Sequence, residues 1–332
     1  MKHINVALFV PDEGCPHQCS FCNQKTISGK THPLEVGEID DAVKIAAENQ
    51  SSDGEIAFFG GSFTAIEKEY MTSLLKRAKL YIDKGLFKGI RISTRPDCIS
   101  EEILLVLKKY GVTSIELGCQ SMDDEVLLKN GRGHTAKDVE NAAKLIKNHG
   151  FQLGVQMMTG LFGDCDEKAI ETAEKLIALN PDTARIYPTV VLEGTKLSEL
   201  YKKGEYAPQS VDEAARLCAK LILMFEENGI KVIRVGLHSG GNVEDGFVAG
   251  AYHPAFREIC ESRIYMQKLL EALKSLDISK GEITITVNKK CVSALVGQKR
   301  CNIKELENKG YICHIEQSET QEKYEVSVRL TK

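Results

Sequence analysis

The 332-residue sequence predicts an α/β chain that folds as a partial (β/α) barrel and carries a small C-terminal α+β domain. Three observations predict it. Short β-branched and aromatic runs alternate with longer stretches whose apolar residues recur at threes and fours, the pattern of a parallel sheet with helices outside it. Gly111, Gly150 and Gly229 stand where several of those helical stretches end. After about residue 280 the order changes to strand, helix, tight loop, helix, strand, strand.

The barrel strands are expected at 4–10, 55–61, 89–94, 114–120, 152–158, 184–191 and 231–237. Helical segments such as EEILLVLKKYG, AAKLIKNHG and DEAARLCAKLILMFEENG lie between them. A glycine-bearing bridge, LHSGGNVEDGFVAGAYHP, leads to a helix over about 255–276, and the tail supplies a strand at 282–288, a helical pair broken at GQKR (297–300), and strands at 311–317 and 323–330. The expected division is a barrel over 1–240, a bridging segment and helix over 241–280, and a small domain over 281–332.

Composition is that of an ordinary globular protein, 42% hydrophobic and 27% charged with net charge −4, so bulk charge names no partner. The start, MKHINVALFVPDEG, is too quickly interrupted for a secretory signal, and no apolar run approaches a membrane span. A cytoplasmic, reducing setting is expected, in which the eleven cysteines are not structural disulfides. Cys98, Cys119, Cys165, Cys218 and Cys260 are scattered singly and are expected to be structural.

The stretch CPHQCSFCNQ differs in kind. Cys15, Cys19 and Cys22 form C-x3-C-x2-C, which gathers three thiolates only if the backbone wraps in a loop. Structural zinc wants four ligands, and His17, inside the loop, is a poor fourth. An iron–sulfur cluster is also held by thiolates, and three of them leave one iron open. Unligated cysteines and zinc are the alternatives.

With Phe21 before the last cysteine, this motif resembles the signature of the radical S-adenosylmethionine (SAM) superfamily. The resemblance implies a [4Fe–4S] cluster at Cys15, Cys19 and Cys22 whose open iron chelates SAM, reductive cleavage of SAM to a 5′-deoxyadenosyl radical, and a low-potential electron donor such as flavodoxin or ferredoxin. It also implies the site beyond the cysteines. In FFGGSFT, Gly60, Gly61 and Ser62 match the segment that holds the SAM amino group, and Ser93, Gln120, Arg132 and Gln156 fall where relatives contact its methionine, carboxylate or ribose. Relatives often carry acidic residues at the Ser93 and Gln156 positions. Arg132 suits a carboxylate on physical grounds too, because a guanidinium can donate two parallel hydrogen bonds.

A closer resemblance rests on FFGGSFTAIE, STRPD, SIELGCQS, GRGHT and RIYPTVVLEGTKL, which together look like the catalytic subunit of the Elongator complex, a modifier of the wobble uridine of transfer RNA. It runs over about residues 1–240. Elongator's first two cysteines are typically farther apart, and its acetyltransferase domain has no counterpart in these 332 residues, so use of acetyl-CoA does not carry over. An RNA, transfer or ribosomal, is the implied substrate. The alternative is a small-molecule, peptide or porphyrin substrate, or a haem carrier of the coproporphyrinogen-oxidase-like branch, with His238 or His253 as axial ligand.

The tail resembles a KH RNA-binding core, in which a G-x-x-G loop clamps the nucleic-acid backbone. VGQKRCNIKELENKG keeps Gly297 but places Arg300 at the second glycine. Lys289, Lys290, Lys299, Arg300 and Lys304 gather around it, and with Gly297 they are the expected RNA contacts.

Overall fold

A computed structural model describes residues 5–10, 15–30, 32–47, 54–237 and 242–331. Its strands in chain order are β1 (Val6–Val10), β2 (Glu55–Gly60), β3 (Gly89–Thr94), β4 (Val112–Gln120), β5 (Gln152–Thr159), β6 (Thr183–Pro188), β7 (Val190–Leu192), β8 (Lys231–Val235), β9 (Phe247–Gly250), β10 (Gly281–Asn288), β11 (Tyr311–Ser318) and β12 (Val326–Leu330). Seven of them form one sheet in the order β1-β2-β3-β4-β5-β6-β8, with every neighbouring pair parallel. It is the curled half-barrel that strand–helix alternation predicts.

Period-two alternation divides each strand between two faces. Ile90 and Ile92, Ile115 and Leu117, and Val155 and Met157 are buried on the helix-covered face. Between them stand Arg91, Glu116 and Gln156, which alternation turns to the concave side. There the charges pair. Arg91 bridges Glu55 at 2.7 Å and Glu116 at 3.2 Å, and Arg185 grips Glu116 with Nε at 2.6 Å and Nη2 at 2.8 Å. Glu55 and Glu116 are fully buried, so this network is costly to break from either side.

The expected strand at 184–191 is two strands. Pro188 has no N–H to continue the ladder, Thr189 turns its N–H back to Thr159 O at 2.9 Å, and β7 leaves the barrel to pair antiparallel with β9. The bridge after β8 therefore contains a strand that its glycines obscured.

In the tail, β10 lies between β11, to which it is parallel, and β12, to which it is antiparallel. Helices Val292–Val296 and Cys301–Asn308 flank the turn Gln298–Arg300, the expected element order. The helix Phe256–Ser275 buries Phe256, Cys260, Ile264, Leu269 and Leu273 along one stripe. Its Tyr265 hydroxyl accepts the N–H of Tyr324 at 2.9 Å, and one continuous hydrophobic core runs from the half-barrel through this helix into the tail sheet. No helix among the described residues is long and apolar enough to cross a membrane.

Candidate active site

The C-terminal ends of β2 to β5 and the loop after β1 enclose a cavity of about 650 Å³. Cys15, Cys19, Cys22, Phe21, Gly60, Gly61, Ser62, Ser93, Gln120, Arg132 and Gln156 all line it. Residues scattered over more than 140 positions of sequence thus share one space because parallel strands deliver their ends to the same side of the sheet.

The cysteine loop is held by distant parts of the chain. Ser20 donates its N–H to Asn130 O at 3.0 Å and its hydroxyl to Asn130 Oδ1 at 2.7 Å, while Asn130 Nδ2 donates to Val126 O and Phe162 O at 2.8 and 2.9 Å. On the other flank, Asn23 Nδ2 reaches Glu193 O at 2.9 Å, and Leu197 N reaches Ser20 O at 2.8 Å. Gly133, at φ +70°, leaves room for the His17 ring, which a Cβ there would meet at 2.3 Å.

The thiols are free, Cys15 exposed and Cys19 buried, with Cys22 between. Among the described residues no three His, Cys, Asp or Glu side chains are drawn together at metal-ligand distances. The three thiols nonetheless share the cavity and feel one another. Burial pushes the Cys22 thiol up to about 12, and the Cys19 and Cys15 charges add to the shift. Burial raises Cys15 as well, against the N–H of Ser62 and the charges of Arg95 and Arg132. The Cys15 and Cys22 thiols so placed keep their protons at neutral pH and exchange them for a cation.

Arg132 is buried and points Nη1 at Cys19 Sγ, 3.1 Å away. Its Nε, together with Gln120 Oε1 and Arg95 Nη1, is a buried polar atom without a hydrogen-bond partner, and all three residues line the cavity. Buried polar groups are nearly always paired, so three orphans around one space fit a polar ligand there. Gln120 is also strained. It sits at φ +67°, beyond a register shift in β4 after Gly118, a conformation rare outside glycine and concentrated at functional sites.

Gly60, at φ +115°, has a second reason to be glycine: a Cβ there would lie 2.5 Å from Val10 O. Gly61 N donates to that same carbonyl at 3.0 Å. Ser62 Oγ meets Thr94 Oγ1 at 2.9 Å, and Gln156 Nε2 donates to Ser93 Oγ at 3.0 Å and Glu116 Oε2 at 2.8 Å. Sequence reasoning missed Asn130, Arg95 and Glu116. The glycines flanking Arg132 were the only local signal of the first clamp.

The sequence matches the family described as the radical SAM superfamily over residues 10–176, half of the chain. The chain belongs to the radical SAM superfamily. It also matches the radical SAM C-terminal domain over residues 181–266. Radical SAM proteins bind a [4Fe–4S] cluster and SAM, and the three thiols and orphaned polar atoms are a donor set of that kind.

Three relatives show how the radical SAM region is shared. An uncharacterized protein of Methanocaldococcus jannaschii is 33% identical over 60% of this chain and 65% of its own length. The tRNA uridine(34) acetyltransferase of Methanocaldococcus infernus is 32% identical over 48% of this chain and 34% of its own, and human Elongator complex protein 3 is 32% identical over 51% and 35%. The chain thus spans about a third to two thirds of these relatives. In fold it is similar to the archaeal Methanocaldococcus infernus Elp3, with TM-score 0.65 at 23% identity over 80% of this chain and 64% of that one.

The expected RNA contacts lie apart from the cysteine cavity. Lys289 pairs with Glu319 at 2.7 Å, Lys290 and Lys304 are exposed, and Arg300 stands 3.9 Å from Glu307. Lys299 and Arg300 both adopt left-handed backbone, at φ 51° and 61°, so arginine follows the path that glycine would take. Gly297 faces protein, since its Cβ would meet Cys301 Sγ at 2.5 Å and Ser262 Oγ at 2.7 Å. Of the haem candidates, His238 lies outside the described residues, and His253 Nδ1 accepts the N–H of Ala255 at 3.0 Å where the helix Phe256–Ser275 begins.

Proposed function

We propose that this radical SAM enzyme modifies a nucleotide of transfer or ribosomal RNA in the cytoplasm, with electrons from a flavodoxin or ferredoxin. The observation that carries the reading is the 32% identity, over 180 residues, to a protein named tRNA uridine(34) acetyltransferase. The lysines and arginine around Gly297 support it as phosphate contacts on a KH-like tail.

Cys15, Cys19 and Cys22 would hold the cluster, which supplies the electron that cleaves SAM. Arg132, whose Nη1 faces Cys19 Sγ and whose Nη2 donates to Gly118 O, would offer its unpartnered Nε to the SAM carboxylate, and the free Gln120 oxygen would accept from a ligand donor. Gly60, Gly61 and Ser62 would bring main chain close to the SAM amino group, with Phe21, Ser93 and Gln156 completing the wall.

Nucleoside mass spectrometry of ribosomal and transfer RNA, from cells with and without the gene, tests the proposal. One modified nucleoside is expected to vanish with the gene. Identical RNA profiles, together with SAM turnover to 5′-deoxyadenosine that RNA does not stimulate, would transfer the site to a small-molecule, peptide or porphyrin substrate.

A further inference from the structure

A second cavity, of about 430 Å³, adjoins the first and shares the wall made by Phe21, Cys22 and Gln156. Its size is that of a small-ligand site. Phe9, Phe59 and Tyr187 line it together with Arg185 and Arg234. The two guanidiniums are not equivalent. Arg185 is spoken for, gripped by Glu116 and lying 5.0 Å from the Phe59 ring centroid.

Arg234 donates Nε to Gly236 O at 3.2 Å, and no carboxylate among the described residues pairs with it. In the strip of charges beside it Glu55 and Glu116 balance Arg91 and Arg185, which leaves Arg234 without a counter-charge. Burial lowers its pKa, and the Arg185 and Arg257 charges add to this while Tyr187 opposes it, which makes a bound anion welcome.

We propose that this second cavity receives one nucleotide of the RNA, base inward among the aromatic rings and phosphate on Arg234. The claim rests on the RNA reading above and names the place where that substrate reaches the SAM site. Flat rings suit a base, which every nucleotide presents as a π-face, and a guanidinium fork matches a phosphate. Arg234 is half-buried, so the anion it holds keeps a route to solvent, as the phosphate of a continuing polymer requires.

The test is equilibrium dialysis of the full-length, anaerobically reconstituted protein against uridine 5′-monophosphate, uridine and butyrate. The monophosphate is expected to bind about tenfold or more tighter than uridine, the worth of a charge-assisted pair. Arg234→Gln is expected to erase that difference, Arg234→Lys to keep part of it, and Phe59→Leu to weaken nucleoside and nucleotide alike. Iron content reports whether each variant is folded.

Equal binding of uridine and its monophosphate would overturn the assignment, as would a monophosphate preference that survives in Arg234→Gln. Arg234-dependent binding of butyrate without the nucleotide would overturn it in favour of a carboxylic acid. A modified nucleoside that still disappears with the gene would then leave the RNA reading standing while this cavity loses its role.

Discussion

His134 and Asp164 carry opposite pH dependences into the same window. Burial, then the charges of Arg132 and Arg95, depress His134 from 6.5 to about 4. The folded protein therefore binds fewer protons than the unfolded chain between those values, and stability falls as pH falls. Burial raises Asp164 from 3.8 to about 6, so there the folded protein binds more protons and stability falls as pH rises. Each effect has a ceiling of about 3 kcal/mol at 1.36 kcal/mol per unit. Asp164→Asn removes one of the two slopes. Urea denaturation is expected to show a variant about 1–2 kcal/mol more stable at pH 7, with a steeper loss between pH 6 and 4. Unchanged slopes would mean that Asp164 is ionised without penalty. At the same scale, Cys15→Ala, Cys19→Ala or Cys22→Ala should each remove the iron of a reconstituted protein expected to hold about four irons. Cys165→Ala, at an exposed helix start, is the control.

The cysteine loop is an element with little regular structure, and its shape is set from outside by Asn130. That side chain is fully buried and ties Ser20 to the carbonyls of Val126 and Phe162. Asn130→Ala strands the Ser20 hydroxyl and the Phe162 carbonyl, while Val126 O keeps the backbone N–H of residue 130, and a cost of about 2–4 kcal/mol is expected. The readout is faster loss of iron to a chelator, with little change in far-UV circular dichroism. Loss of iron at the unchanged rate would show that the loop holds its own shape. The motif announced the thiols because packing alone rarely gathers three cysteines within eight residues. It could not announce their clamp, since a single asparagine 110 residues away carries no local pattern. The strands β7 and β9 were hidden for a related reason. They run for three and four residues, too short to display a period, and the second is rich in glycine and alanine.

Across the whole molecule, the half-barrel was legible because its outer face obeys a simple rule, apolar at every second position, and its helices end at glycines. The charged strip on the inner face was not legible, because Glu55, Arg91, Glu116 and Arg185 become partners only when the five strands β2 to β6 are laid in register. This strip binds the sheet together. Glu116→Gln leaves Arg185 buried without a counter-charge, and about 3–5 kcal/mol of stability should be lost. A domain of ordinary stability would survive that loss only narrowly. Denaturant midpoints measure it, and a midpoint unchanged from the parent would show that solvent already reaches the strip.

The clamps on the cysteine loop also set a timetable for biosynthesis. Ser20 waits for Asn130, 110 residues later, and Asn23 waits for Glu193, 170 residues later. A ribosome adding about 5–20 residues per second needs roughly 10–30 s to cover the longer gap. Throughout that interval three nucleophilic thiols leave the ribosome early and unguarded, open to oxidation and to stray metal. Delivery of a cluster to a shaped site is therefore a late event, after the first six barrel strands have been synthesised.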